Sequence, residues 1–297
     1  MTGLTTVQKN TRAPQVFPRL AALGRLARRQ KAGAVAAVLL LGIVALTVSA
    51  DVITRYAPSE PVARPFLMPS AAHLLGTDYL GRDIFSQIVY GARVSVVVAA
   101  LSIALSLAIG MPIGLICGFR GGRVDLFIQR IVDILITLPS LVLALALVAM
   151  LGPGLRNVIL AIGIVQGPRV SRVIRAATMS IRQGVFIEAA RSLGCSEGRV
   201  IIRHVLPNTL PIALTIGSAL AGEAIIVEAA LSFLGLGVLP PTPSWGQMLT
   251  TSAQLYFISH PWLAIPPGVA IIVTVLAANL FGDALQEMLD PRLRGRR

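Results

Sequence analysis

Apolar residues run along this chain in long unbroken blocks, unlike the alternation of a strand or the single stripe of a soluble helix. A bilayer core about 30 Å thick is crossed by roughly 20 such residues in a helix. Six blocks are read as spans: 32–50, 94–117, about 134–151, one from about 155, one that follows Pro211 to about 231, and 262 to about 281. The fourth is ragged, because Gln166, Pro168 and Arg169 interrupt it. The pattern predicts an all-α membrane protein with six transmembrane helices, and an even number of crossings leaves both termini on one side. The chain then divides into a basic tail (1–31), the first span (32–50), an extracytoplasmic segment (51–93), a core of five spans (94–285) and a short tail (286–297).

Composition agrees. Of the 297 residues 55% are hydrophobic and 13% charged, against roughly 25% charged in a soluble chain. The net charge of +13 becomes informative once it is sorted by loop, since basic residues are retained in the cytoplasm during insertion. With the N-terminal tail inside, 21 of the 26 Lys and Arg fall inside and five outside (Arg55, Arg64, Arg82, Arg93, Arg156). Both termini are therefore expected to be cytoplasmic. Val48, Ser49 and Ala50 resemble a cleavage site, but the 19-residue apolar stretch exceeds the roughly 7–15 of a signal peptide.

Only two of the basic residues are lysines, Lys9 and Lys31, and each follows Gln. A P-loop needs Gly before its Lys, so no nucleotide is expected to be hydrolysed by this chain through such a loop. His73, His204, His260, Cys117 and Cys195 are too scattered to predict a local metal cage or a disulfide framework. No catalytic constellation and no cofactor is expected. Asp133 and Asp283 are read as isolated at span ends, and only the fifth span offers buried acids, Glu223 and Glu228, whereas a proton-coupled transporter would want ionisable groups in several spans. Those two acids are candidates for a translocation path, with structural hydrogen bonding as the competing role. Arg169, Arg172 and Arg175 recur at every third position as in a voltage sensor. They follow only about 11 apolar residues, which places them toward the cytoplasmic end, where they can snorkel. Gly110, Gly114 and Gly118 form a small-xxx-small ladder suited to close helix contact. Trp245, Tyr256 and Trp262 read as interfacial anchors.

The cytoplasmic loop at about 183–207 is more than a polar connector. Val185 to Leu193 can form a helix with Glu188 in its first turn, where the macrodipole favours an acid. Gly194 ends it as a C-terminal cap, Ser196 is placed as an N-cap, and Val200, Ile201, Val205 and Leu206 give a second helix an apolar stripe that Pro207 is expected to stop. The basic charge admits a DNA-binding helix-turn-helix, but flanking spans pin the unit against lipid. Nucleic acid is not an expected partner.

The run Glu188, Ala189, Ala190, three residues, Gly194, then Leu206 and Pro207 resembles the EAA loop of type I permeases of ATP-binding-cassette importers. His204 stands where that family usually has a hydrophobic residue. Further stretches are similar to the C-type permease of dipeptide, oligopeptide and nickel importers: Leu-Gly-Thr-Asp-Tyr-Leu-Gly-Arg-Asp at 75–83, Tyr-Gly-Ala-Arg at 90–93, Glu-Ala-Ala-Leu-Ser-Phe-Leu-Gly-Leu-Gly at 228–237, Pro-Pro-Thr-Pro-Ser-Trp-Gly at 240–246 and Leu-Asp-Pro-Arg-Leu at 289–293. The resemblance covers the chain from about residue 70 onward.

The resemblance implies a type I importer fold in which the loop helix is a coupling helix. Glu188, Ala189, Ala190, Arg191, Gly194, Arg199, Leu206 and Pro207 would then contact the ATPase, with Arg203 also available for charged contacts. The implied partners are a second permease subunit in a heterodimer, cytoplasmic ATP-binding subunits, an extracytoplasmic peptide-binding protein and membrane lipid. The implied cargo is a di- or oligopeptide, with nickel or another small solute as the alternative.

Overall fold

The computed structural model describes residues 31–289. The basic tail up to residue 30 and most of the Leu-Asp-Pro-Arg-Leu run lie outside them. Among the described residues regular structure is helical, with an isolated antiparallel bridge between Thr77 and Asp83.

The first span is α1, Lys31–Val48, followed by the short α2, Ala50–Ile53. An external segment leads to α3, Ile84–Arg120, a 37-residue helix that begins ten residues before its apolar block does. Its start is set by Asp83, whose carboxylate accepts the Ser86 N–H at 2.8 Å, as an N-cap does.

The third apolar block is not one helix. It is split into α4, Gly122–Thr137, and α5, Ser140–Leu151, bent by 94°. Pro139 forces Leu138 into an extended conformation (φ −78°, ψ 135°), because a residue before proline is driven out of the helical region. The part before the bend is amphipathic with an inverted sense. Asp125 and Val132 turn inward while Phe127, Ile131 and Ile134 are exposed, as suits a surface covered by lipid or another subunit.

The fourth block forms α6, Leu155–Arg182, which runs unbroken through Pro168. It is long enough to cross a bilayer but more polar than Lys31–Val48, Ile84–Arg120, Glu197–Phe233 and Pro261–Met288, which are both long and apolar enough to do so. Two of the polar residues that made it ragged find partners inside the protein, although the buried Gln166 amide oxygen has none. Gln166 donates to the Leu220 carbonyl at 3.2 Å, and Arg169 pairs with Glu223. Arg169 is at the middle of this 28-residue helix, and Arg172 and Arg175 follow toward its C-terminal end.

α6 makes the most extensive contact of the bundle, with α3. The glycine ladder is the reason. A methyl group placed at Gly110, Gly114 or Gly118 would lie 2.5–2.6 Å from the carbonyl oxygens of Gly167, Ser171 and Arg175 respectively. Without those glycines the backbones could not approach, and dispersion between close backbones is what holds membrane helices together. One apolar core surrounds Val98, Val148, Ile162 and Leu231; another surrounds Phe119, Ile174, Ile187 and Val205.

After α6 come α7, Val185–Ser192, and α8, Glu197–Val200. Pro207 does not stop the second loop helix. A π-turn at Ile201–Val205 carries α8 into α9, Leu206–Phe233, with the proline in its first turn, where a missing N–H is tolerated. Nearby carbonyls take side-chain donors instead: Asn208 Nδ2 reaches His204 O at 2.6 Å and Thr209 Oγ1 reaches Leu206 O at 2.9 Å. The described residues end with α10, Trp245–Leu255, and α11, Ile265–Leu289. Trp245 is not an interfacial anchor. It is 2% exposed, its indole N–H donates to Ile88 O at 3.0 Å, and it packs where Gly91 leaves room.

Candidate functional site

Two groups of residues stand out against the apolar bundle: the loop that follows α6, and a row of ion pairs along α6 itself.

The loop is a built element. Ile187 and Ala190 of α7 are buried, and Val200 and Val205 meet them from the other arm in the core around Phe119. Glu188 lies in the first turn of α7, as expected from the macrodipole. Gly194 has φ +77°, its N–H donates to Arg191 O at 2.9 Å, and the Cys195 N–H donates to Ala190 O at 3.1 Å. This is the left-handed cap that glycine supplies. Ser196 occupies the N-cap position of α8, but its side chain makes no capping bond.

The element is tied to helix ends. The Arg191 guanidinium lies 5.1 Å from the Phe119 ring centroid, and Arg182 Nη1 donates to the Phe119 carbonyl at 2.7 Å. Phe119, near the end of α3, is thus met both by Arg191 of α7 and by the last residue of α6. The opposite face is left open. Val185 and Leu193 are 80% and 85% exposed, Phe186 and Ile202 are also exposed, and Glu188, Ala189, Arg191, Arg199 and Pro207 lie on the surface, whereas Leu206 is half-buried. Apolar side chains fringed by charges suit protein docking, and none of these groups forms a catalytic arrangement.

The second group joins α6 to its neighbours. Arg175 grips Asp125 of α4 with both guanidinium edges, at 2.5 and 2.6 Å. One turn earlier Arg172 pairs with Asp133, and one turn earlier still Arg169 pairs with Glu223 of α9. Asp133, which the sequence left isolated, is thus an ion-pair partner. Spacing carried the missed signal: acids two turns apart on α4 face arginines at every third position of α6.

The two candidate path residues differ sharply. Glu223 is 28% exposed and accepts the Ser140 hydroxyl at 2.8 Å besides pairing with Arg169. Glu228 is fully buried, and takes the Ser232 hydroxyl at 2.8 Å and that of Ser95 at 3.4 Å.

On the other side of the bundle, the run 75–83 folds on itself. Asp78 accepts from the backbone N–H groups of Leu80 and Arg82, from Arg82 Nε at 2.6 Å and from Gln87 Nε2 at 2.9 Å. Asp83 holds His73 Nδ1 at 3.0 Å while it caps α3. Asp51 accepts the Tyr90 hydroxyl at 2.6 Å and Arg93 Nη2 at 3.4 Å, which pins the C-terminal end of the first span to α3. The Tyr90 hydrogen bond first, and Arg93 second, hold the Asp51 carboxyl below its ordinary value.

Comparison with known proteins agrees with this architecture. Residues 110–295 match the model of the family described as the binding-protein-dependent transport system inner membrane component. A dipeptide transport system permease protein, DppC, of Alkalihalophilus pseudofirmus is 39% identical over 269 residues, covering 90% of this chain and 88% of that protein. The glutathione transport system permease protein GsiD of Pectobacterium atrosepticum is 42% identical over 226 residues, covering 76% and 75% respectively. Among solved structures, the inward-facing MetNI methionine transporter shares the fold, with a TM-score of 0.57 at 19% identity over 69% of this chain and 96% of that one.

Proposed function

Because the chain belongs to the family of inner-membrane components of binding-protein-dependent transport systems, we propose that it is the permease subunit that carries peptides through an ATP-driven importer. The cargo follows the dipeptide and glutathione permeases that it resembles over most of its length. An importer permease of this type works with a second permease, ATPase subunits and a substrate-binding protein. It is not itself an enzyme, and we place ATP hydrolysis wholly in the partner subunits.

The observation that carries this reading is the loop element. Its inner face is locked to α3 and α6 and its outer face is open and apolar. Glu188, Ala189, Arg191, Gly194, Arg199 and Pro207 serve as the coupling contact, whereas Ala190, buried in the core, and the half-buried Leu206 hold the element to the bundle from its inner side. When two ATPases close on ATP, they draw these elements together, and the ties through Phe119 pass the motion to the spans. Both termini then lie in the cytoplasm, on the side of α7. Glu223 lines the translocation path, and the buried Glu228 has a structural part in the same helix.

Uptake into proteoliposomes that contain the complete importer tests the cargo. Labelled di- and oligopeptides are expected to accumulate in an ATP- and binding-protein-dependent manner. Accumulation of Ni²⁺ without peptide would overturn it.

A further inference from the structure

One charged pair lies near the middle of two long helices. Arg169 is at the middle of the 28-residue α6, roughly 20 Å from either end at about 1.5 Å per residue. Its guanidinium pairs with Glu223 on α9, and the hydroxyl of Ser140, at the start of α5, donates to the other carboxylate oxygen at 2.8 Å. Three helices thus meet at one carboxylate, beside the 94° bend.

The pair is nevertheless open, with 40% and 28% of the two side chains exposed. The same bundle seals Glu228 completely when its role is to join helices. Ions this open are expensive against acyl chains, so such groups face a bundle interior or water. One turn along α6, Arg172 and Asp133 are more exposed still (49% and 50%). Cation and anion therefore recur along a polar track that runs from the middle of α6 toward the coupling element. A peptide with free termini carries the same two charges, one carboxylate and one ammonium.

We propose that Arg169 and Glu223 form a recognition point for a zwitterionic solute on the translocation path, with Arg169 taking the carboxylate of the cargo and Glu223 its ammonium. In the resting state the two residues neutralise each other. As cargo arrives, each exchanges its partner for a terminus of opposite sign, while the Ser140 hydroxyl keeps the Glu223 carboxylate in place. This inference rests on the peptide-permease reading and gives that path a chemical preference.

The test uses the complete importer in proteoliposomes with a labelled dipeptide. Arg169→Gln and Glu223→Gln are each expected to cut uptake by at least about tenfold, the usual consequence of losing a hydrogen bond to a charged group. Assembly and binding-protein-stimulated ATP hydrolysis should persist. A second arm introduces Glu223→Cys in a Cys117→Ser, Cys195→Ser background and modifies it after assembly. A water-soluble thiosulfonate that adds a negative charge should restore uptake, and one that adds a positive charge should block it. Unchanged uptake in both neutral variants, no reaction with either reagent, or equal effects of the two would overturn the inference while the importer reading stands. A wild-type complex that takes up no peptide would overturn both.

Discussion

Arg175 grips Asp125 through two parallel N–H···O bonds, and this fork fastens the amphipathic α4 to the side of α6. Bidentate pairs of this kind are stronger and more directional than single contacts. The two side chains are 29% and 12% exposed, so water compensates only in part when one is lost. Asp125→Ala is expected to destabilise the purified protein by about 2 kcal/mol, as the loss of hydrogen bonds to a charged group does. Thermal unfolding in detergent measures it, and the exchange Arg175→Asp with Asp125→Arg should recover part of the loss. A melting curve unchanged in Asp125→Ala would show that α4 is held by its apolar residues alone.

The glycine ladder makes a steric prediction. A side chain at Gly114 meets the Ser171 carbonyl at 2.6 Å and Ile174 Cβ at 2.8 Å, and neither can move without displacing a helix. Gly114→Ala should cost about 1–3 kcal/mol, as overpacking does, and Gly114→Leu should prevent accumulation of folded protein. By contrast, Gly42 on α1 has nothing within 4 Å, so Gly42→Ala should express and melt as the wild type does.

At Gly194 backbone conformation, not space, sets the outcome. A side chain there would meet nothing within 4 Å, yet φ is +77°. Left-handed backbone costs most residues roughly 1–2 kcal/mol, and Asn visits it more readily. Gly194→Val should therefore insert and assemble but separate ATP hydrolysis from uptake, as the cap yields and the coupling element shifts. Gly194→Asn should retain most of the uptake. Normal transport by the valine variant would remove the cap from the mechanism.

The same contrast explains which features the sequence makes legible. Apolar blocks locate most of the spans because lipid imposes length and composition on each helix alone. The loop at 183–207 is readable for a related reason: Glu188, Gly194 and the buried Ile187, Ala190 and Val200 act through local helix geometry. The ion pairs are not readable in this way. Asp133 finds its arginine 39 residues away and Glu223 finds one 54 residues away, so an isolated-looking acid and a polar fourth span are resolved only when helices pack. Pro207 and Trp245 are misread on local grounds that tertiary context overrides: a π-turn absorbs the proline, and Gly91 opens a slot for the indole.

Asp51 gives a pH prediction with a definite sign. A folded-state value held below the ordinary one means that the tether is present above about 3.9, the unfolded value, and lost as pH falls through the lower folded value. The distance between spin labels on Val52 and Leu80 should stay constant from about pH 8 to 4 and broaden only below that, as pH falls through the depressed folded value. In Asp51→Asn, it should be broad throughout. Broadening already near neutral pH in the unsubstituted protein would assign the tether to another group.

The open face of the coupling element yields the remaining prediction. Leu193 is 85% exposed and Phe186 is 48% exposed, so replacing them removes nothing from the core of this chain. Leu193→Glu and Phe186→Glu should leave the melting temperature within about 1–2 °C, as surface substitutions do. Each should nevertheless weaken co-purification of the ATPase subunits by tenfold or more, the usual cost of about 1.4 kcal/mol or above at an apolar anchor. Val52→Glu, at another exposed apolar position near the opposite end of the bundle, is the control for nonspecific loss of assembly. If all three variants retained the ATPases equally, the contact would have to lie elsewhere on the cytoplasmic surface, and the ties from Arg191 and Arg182 to Phe119 would not be its transmission.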